Sequence, residues 1–540
     1  MKIKSKKIFI IIVILVVNIN FVTAQKASNN ALKEIQTASE YDFSNDYGIQ
    51  WEMNFGSDPG YGARYEGPQP IGDCDNDGKN ELLIGGRDSC LRVFEWDETK
   101  QTYLEMQTLH TPYYPVVTMD ADGFAIGDLT GDGKNEIAVS WYAAIHHWEN
   151  GKYKILGFST WLEDNGGGSP DCLIGDYDND GKNEIILSCR YWTSSVPEIV
   201  TFEWDGKNVV KESEWDDPGV DGAVFMAGIG DVDYDLENEI VCGASGKVVV
   251  LDWDKQNNKF ESTVIKQTYG WENYPFACIC KDSDMDGKNE IHVGYYSPEI
   301  TIFEYNGTGY EIKYEKKWPG EGAVIEGLDV GDVDQDGINE VCAGTDVIHI
   351  LQWNGETYVE EAVLPTFGDL AVLNIGDCDN DGKNEIHTGS VNIYPGQDFM
   401  SWVYKYGLKP AYNQQTMKSD ATGSLYVKTK TSNAGTPISD ASVATWNLET
   451  KTWYNIQPDN LKSGAYTRDK LPAGEYLLRA TGENYKIQEV TISIVEGQQT
   501  SYTFSLEPKT KASNKPLYNT INWLLLQFIQ KIFTKFHMDF

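Results

Sequence analysis

The stretch Ile71-Gly72-Asp73-Cys74-Asp75-Asn76-Asp77-Gly78-Lys79-Asn80-Glu81-Leu82 decides the fold, because it returns six more times. The further copies are Ile126-GDLTGDGKNE-Ile137, Ile174-GDYDNDGKNE-Ile185, Ile229-GDVDYDLENE-Ile240, Cys280-KDSDMDGKNE-Ile291, Val330-GDVDQDGINE-Val341 and Ile375-GDCDNDGKNE-Ile386. Their leading aspartates lie 45 to 55 residues apart, a period that suits one four-stranded propeller blade. Around each loop the pattern repeats. An apolar stretch comes before it and an alternating stretch after it. Then comes an aromatic-ended strand such as Val93-Phe94-Glu95-Trp96 or Ile302-Phe303-Glu304-Tyr305. Asn150-Gly151, Asp205-Gly206, Asn306-Gly307 and Asn354-Gly355 then supply hairpin turns that need positive φ. The expected fold is all-β: a seven-bladed β-propeller over 46–412, with Tyr47 to Phe55 as the candidate strand that completes the last blade.

Numbered from its first aspartate, each loop carries oxygen side chains at positions 1, 3, 5 and 9, and position 7 offers a backbone carbonyl. The five residues are Asp73, Asp75, Asp77, Lys79 and Glu81 in the first copy, and Asp128, Thr130, Asp132, Lys134 and Glu136 in the second. They are Asp176, Asp178, Asp180, Lys182 and Glu184 in the third, and Asp231, Asp233, Asp235, Glu237 and Glu239 in the fourth. The last three copies offer Asp282, Asp284, Asp286, Lys288 and Glu290, then Asp332, Asp334, Asp336, Ile338 and Glu340, then Asp377, Asp379, Asp381, Lys383 and Glu385. Of the 28 side-chain positions only Thr130 is not acidic. Converging carboxylates repel one another unless a cation or protonation relieves them. A set made only of oxygens, with loose geometry, suits calcium better than magnesium. Up to seven structural calcium ions are therefore expected. Glycine at position 6 permits the sharp turn in six copies, with Leu236 the exception. Asn at position 8, present in all seven, is expected to tie its own loop's backbone.

These Gly-Asp-x-Asp-x-Asp-Gly-x-Asn-Glu loops resemble the FG-GAP/VCBS repeats of integrin-α-like β-propellers. The resemblance covers roughly residues 46 to 412. It implies structural calcium in loops between the first two strands of each blade. The family usually has Asp where Glu81 and its equivalents stand, and the Phe-Gly and Gly-Ala-Pro signatures are poorly kept.

The formal net charge of −38 argues against nucleic acid as a partner. At the N-terminus, Lys2, Lys4, Lys6 and Lys7 precede an apolar run from Ile8 to Val17, and Val22-Thr23-Ala24 resembles a cleavage site. Residues 1–24 read as a signal peptide and 25–45 as a linker, so the expected location is secreted or cell surface. The nine cysteines are an odd count, and most fall at repeat-equivalent positions. They read mainly as small buried residues packed between blades.

After a linker at 413–421 the loop motif stops. Strand-like stretches at Gly423–Thr429, Ala441–Trp446, Glu475–Ala480, Glu489–Ile494 and Thr500–Leu506 predict a small β-sandwich over 422–507. The element Leu471-Pro472-Ala473-Gly474-Glu475-Tyr476 resembles carboxypeptidase-regulatory-like, transthyretin-like domains, whose modules are usually non-catalytic. Within 508–540, apolar residues from Leu517 to Phe536 recur at helical spacing. They predict an amphipathic helix that docks on a membrane interface, on a partner or on its own domain.

The functional expectation is a non-enzymatic adhesion or scaffold module that binds an extracellular glycan or protein ligand. The alternative is a calcium-dependent carbohydrate-active enzyme resembling the propeller polysaccharide lyases. Against it, His292 and His387 fall at ordinary repeat positions, His146 and His147 lie in a strand, and no GxSxG or HExxH motif is present.

Overall fold

The computed structural model describes residues 43–509, apart from 57–68, 86–89, 115–122, 170, 190–195, 218–223, 271–272, 320–323, 367–370, 391–397, 409–420, 440, 461–462 and 483. The expected signal peptide and C-terminal helix lie outside the described residues. The chain is nearly all β. A short helix at Trp161–Asp164, not foreseen from the sequence, interrupts the strands.

Each loop motif joins the first two strands of a four-stranded antiparallel sheet. The fourth unit is typical, running Ala227–Gly230, Glu239–Ala244, Lys247–Asp254 and Lys259–Gln267. Its second strand is buried throughout, while its outermost strand is mostly exposed. An inner strand has sheets against both faces and so reads as a continuous apolar run. An outer strand faces water and alternates.

Seven such units follow one another, and every neighbouring pair shares one apolar core. Leu83 and Val93 of the first unit pack with Ile137 and Trp141 of the second. Val241 and Val250 of the fourth pack with Ile291 and Phe303 of the fifth. The seventh unit packs back on the first, where Trp51, Met53 and Val403 meet Leu82, Phe94 and Trp96. No unit can bury both of its faces alone, and the cycle of shared cores buries them all. The result is a propeller fold.

The strand Tyr47–Gly56 pairs antiparallel with Phe399–Tyr406 and supplies the fourth strand of the last unit, so the start of the described chain closes its end. The opposite edge of Tyr47–Gly56 pairs in parallel with Trp453–Asn455, matching Met53 to Trp453. One sheet therefore runs from the seventh unit into Ala441–Asn447, Gly474–Gly482 and Tyr485–Ile494. A second sheet joins Gln457–Asn460, Ala465–Pro472, Thr422–Thr431 and Gln499–Leu506. Between the two lies a separate core that includes Leu425, Val427, Tyr476, Leu478 and Phe504.

This C-terminal module is seated on the ring through buried groups. Trp446 and Trp453 stack and join the core of Trp51, Trp96 and Tyr103. Trp453 Nε1 donates to Thr102 Oγ1 at 3.1 Å, Ser442 Oγ donates to Glu105 Oε2 at 2.9 Å, and Arg479 donates to the Glu105 carbonyl at 2.8 Å.

Candidate metal centres

The loops share one backbone path. Position 6 has positive φ in every copy, Leu236 at 75° included. A Cβ at Gly78, Gly133, Gly181, Gly287, Gly337 or Gly382 would meet nothing within 4 Å. Glycine is favoured there by backbone conformation and not by space. The fourth copy therefore keeps the loop at a conformational cost, with Leu236 standing out in solvent.

The carboxylates first organise their own loop. In the first copy Asp73 accepts the N–H groups of Asp77 and Gly78, at 3.1 and 3.0 Å, and Asp77 accepts the N–H of Lys79 at 3.0 Å. Glu81 accepts the N–H of Cys74 at 2.8 Å. Corresponding bonds recur in the other copies, as at Asp176 with Gly181 and Glu239 with Val232. The remaining oxygens converge. Ligand atoms lie within 4.8 Å of one another in the groups Asp73, Asp75, Glu81 and Asp231, Asp233, Glu239. The same holds for Asp176, Asp178, Asp180, for Asp282, Asp284, Asp286 and for Asp332, Asp334, Asp336. In the second copy the Thr130 hydroxyl turns to Glu136 at 3.4 Å.

Burial raises the pKa of the position-9 glutamates, and neighbouring carboxylates add to it. Glu81 rises to about 7, with desolvation the largest cause. Glu239 rises to about 8 and Glu184 to about 9, where desolvation is reinforced by Glu212 and Asp178. Three buried loop oxygens, Glu184 Oε2, Asp282 Oδ1 and Glu385 Oε1, have no hydrogen-bond partner, although the last lies 2.8 Å from the Lys405 ammonium. A hard divalent cation would satisfy such oxygens and relieve the repulsion, so the residues fit calcium.

Position 8 corrects the sequence reading. Its amide ties the neighbouring loop rather than its own. Asn135 donates to the carbonyl of Asp73 at 2.8 Å, Asn183 to Asp128 at 2.9 Å and Asn238 to Asp176 at 3.0 Å. Asn289 reaches Asp231 at 3.1 Å, Asn339 reaches Asp282 at 2.7 Å and Asn384 reaches Asp332 at 3.0 Å. Asn80 of the first loop then reaches Asp377 of the seventh at 2.9 Å and closes the circle. Each loop thus holds the first aspartate of the loop before it, a coupling that the repeat pattern alone gave no means to see.

The histidines read as structural. His146, His292 and His387 are buried, and burial depresses each to about 3, so they stay neutral. His292 Nε2 lies 2.8 Å from Ser283 Oγ, and both residues are fully buried. Ser283 also contacts Tyr358 at 2.5 Å and Glu290 at 3.0 Å, a network beneath the fifth loop that sequence reasoning missed. None of the nine cysteines is in a disulfide, and all but Cys90 are buried.

A family model described as KICSTOR complex protein kaptin matches residues 257–363, which run from the outer strand of the fourth unit through the sixth. The chain matches no curated protein. Among solved structures, BBS1N in complex with ARL6DN aligns at 13% identity and a TM-score of 0.45, covering 67% of this chain and 97% of that one. The Dos1 propeller aligns at 11% identity and a TM-score of 0.41, covering 63% and 79%.

The kaptin match corrects the functional expectation. The matched family is named for a protein of the KICSTOR complex, and the reading of a secreted calcium-binding adhesion module is withdrawn. The secreted or cell-surface location and the extracellular glycan or protein ligand are withdrawn with it. Kinship with FG-GAP/VCBS and integrin-α-like proteins likewise reduces to the propeller fold that they share with this chain. Acidic repeat loops and a basic, then apolar N-terminal stretch of sequence carried those expectations. A loop that stiffens a blade says nothing about what the assembled ring binds.

Proposed function

We propose that this protein is a non-enzymatic scaffold: a seven-bladed propeller, with a β-sandwich seated on its closing blade, that acts as a subunit of a protein complex. The observation that carries the reading is the kaptin match over 257–363. Two features of the chain agree with it. Its potentially reactive Ser283 and His292 are sealed in the core. Its sheet is continuous from the last blade into the C-terminal module, which fixes the two parts as one platform.

Calcium, held at positions 1, 3, 5 and 9 of the loops with the position-7 carbonyl, would stiffen the rim. It would supply charge compensation there and no chemistry. Gel filtration with light scattering and native mass spectrometry of the tagged full-length chain, isolated from its own host, tests the function. A subunit of a complex comes out with protein partners in fixed ratio. A chain that is monomeric at every salt concentration and calcium level would overturn the proposal.

A further inference from the structure

The seven loops share a motif, but the strands behind them carry different charges. In the fifth unit, Lys313 sits at a bulge of the outer strand, directly after Ile312, the partner of Phe303. Its side chain is almost fully buried, and its ammonium reaches Asp284 at 2.5 Å, Glu290 at 3.0 Å and Glu304 at 3.3 Å. Asp284 and Glu290 are positions 3 and 9 of the fifth loop. The seventh unit reaches a similar end from another strand. Lys405 contacts Asp379 at 2.5 Å, Glu385 at 2.8 Å and Asp381 at 2.9 Å, which are positions 3, 9 and 5. Two loops thus carry a permanent cation from their own chain.

The third unit reverses this arrangement. Its outer strand has the same bulge, directly after Lys211, the partner of Phe202. The residue there is Glu212. It accepts the Tyr177 hydroxyl at 3.1 Å and adds a carboxylate behind a loop that already has four. Glu184 is 1% exposed, and its Oε2 has no hydrogen-bond partner. Lys182 is the nearby ammonium, but it pairs with Glu203 and with Asp180 at 3.6 Å on the exposed side. Among the described residues no ammonium or guanidinium lies within 4 Å of Asp178, Glu184 or Glu212. The sixth unit falls between the two: a carboxylate, Glu361, also stands at its bulge, directly after Glu360, the partner of Leu351, but the neutral amide of Gln352 donates to Asp336 at 2.9 Å and Glu340 at 3.0 Å.

We infer that the third loop depends most on a bound divalent cation, held by Asp176, Asp178, Asp180 and Glu184 with Glu212 behind them, and that Lys313 and Lys405 are built-in substitutes for that charge in the fifth and seventh loops. The inference rests on the proposed cation role of the loops and assigns which loops need the ion. A fixed ammonium neutralises the carboxylates whether or not calcium is present, so those loops keep their shape without it. The third loop has no such neutralisation, and calcium binding there is coupled to folding.

The test uses the full-length chain with calcium as the probe, melted in chelator and across a calcium titration, with bound calcium read by equilibrium dialysis. Glu212→Gln removes the extra charge. It is expected to melt higher than wild type in chelator, to gain less from calcium and to bind it about tenfold more weakly at the affected site. Lys313→Met is expected to melt lower in chelator and to regain more of the loss with calcium; Lys313→Gln serves if the methionine variant fails to fold. If wild type responds to calcium but the variants rise by the same amount as wild type, this inference is overturned and the general cation role survives. A wild type that neither binds calcium nor shifts overturns both.

Discussion

The ring and the C-terminal module are both built from four-stranded sheets, yet they are held together differently. The module has one apolar core between two sheets, from Leu425 and Val427 to Phe504 and Leu506, and nothing in it repeats. The ring has a core at every junction and, along one rim, a second fastening made of charge and amides. Seven loops gather carboxylates, and seven asparagines carry each loop to the one before. An apolar core is insensitive to ions, whereas a rim of buried carboxylates is not. The ring should therefore respond to divalent cations and pH in ways that the module does not.

Removing divalent cations should give the largest effect. Calcium at a hundred times its Kd contributes about 2.7 kcal/mol for each occupied loop. Chelation should therefore destabilise the ring more than any single substitution, which urea unfolding followed by tryptophan fluorescence would register. The module's own core should show no such dependence, and equal sensitivity in both would break the comparison.

Next in size is the seam where the two regions meet. Trp453→Ala removes a buried ring from between Trp446, Trp51 and Trp96 and leaves Thr102 without its donor. The expected loss is about 3–5 kcal/mol. Ring and module should then unfold in separate steps by calorimetry, since Trp453 lies in the strand that joins them.

The pH effect is smaller over one unit. In the cation-free protein Glu184 and Glu239 have folded values near 9 and 8, raised above the ordinary value of 4.5. The folded state then holds protons that the unfolded state has already lost. Stability of that form should rise as pH falls from about 9 towards 4.5 and decline as pH rises, by up to about 1.4 kcal/mol per pH unit for each proton involved. Saturating calcium should flatten the slope, because cation and proton compete for the same oxygens.

The smallest effect is expected from the rim ties. Asn80→Ala deletes the amide that joins the first loop to the seventh and should cost about 1 kcal/mol in urea unfolding. Asn135→Ala should cost the same, because a closed circle has no privileged joint. A much larger loss at Asn80 would mean that the seam between first and seventh units is the weak point.

Much of the ring was legible because its signals are local. A loop motif at fixed offsets, aromatic strand ends and Asn-Gly turns need only neighbours in sequence, and the strand Tyr47–Gly56 stands where the unpaired last unit requires one. What stayed hidden depends on contacts between units. The direction of the asparagine ties, Ser283 beneath its loop against Tyr358, and the opposite charges of Lys313 and Glu212 at one bulge appear only when strands about 20 residues apart or more are set side by side. In the module, Trp453–Asn455, Gln457–Asn460 and Ala465–Pro472 escaped notice because Pro458 and polar neighbours mask their pairing. The functional expectation failed for a different reason. The loops repeat because each blade is built the same way, and a loop that organises a blade does not say what the ring binds.

The most direct measurement of the central claim is the calcium content of the full-length chain, by emission spectrometry after dialysis against calcium and then against a buffer free of it. Several ions per chain are expected, retained in proportion to how little built-in charge each loop has, with a melting temperature that falls as they are stripped. A chain that retains no calcium and melts identically in chelator would contradict it, leaving the acidic loops as turns fastened by their asparagines alone.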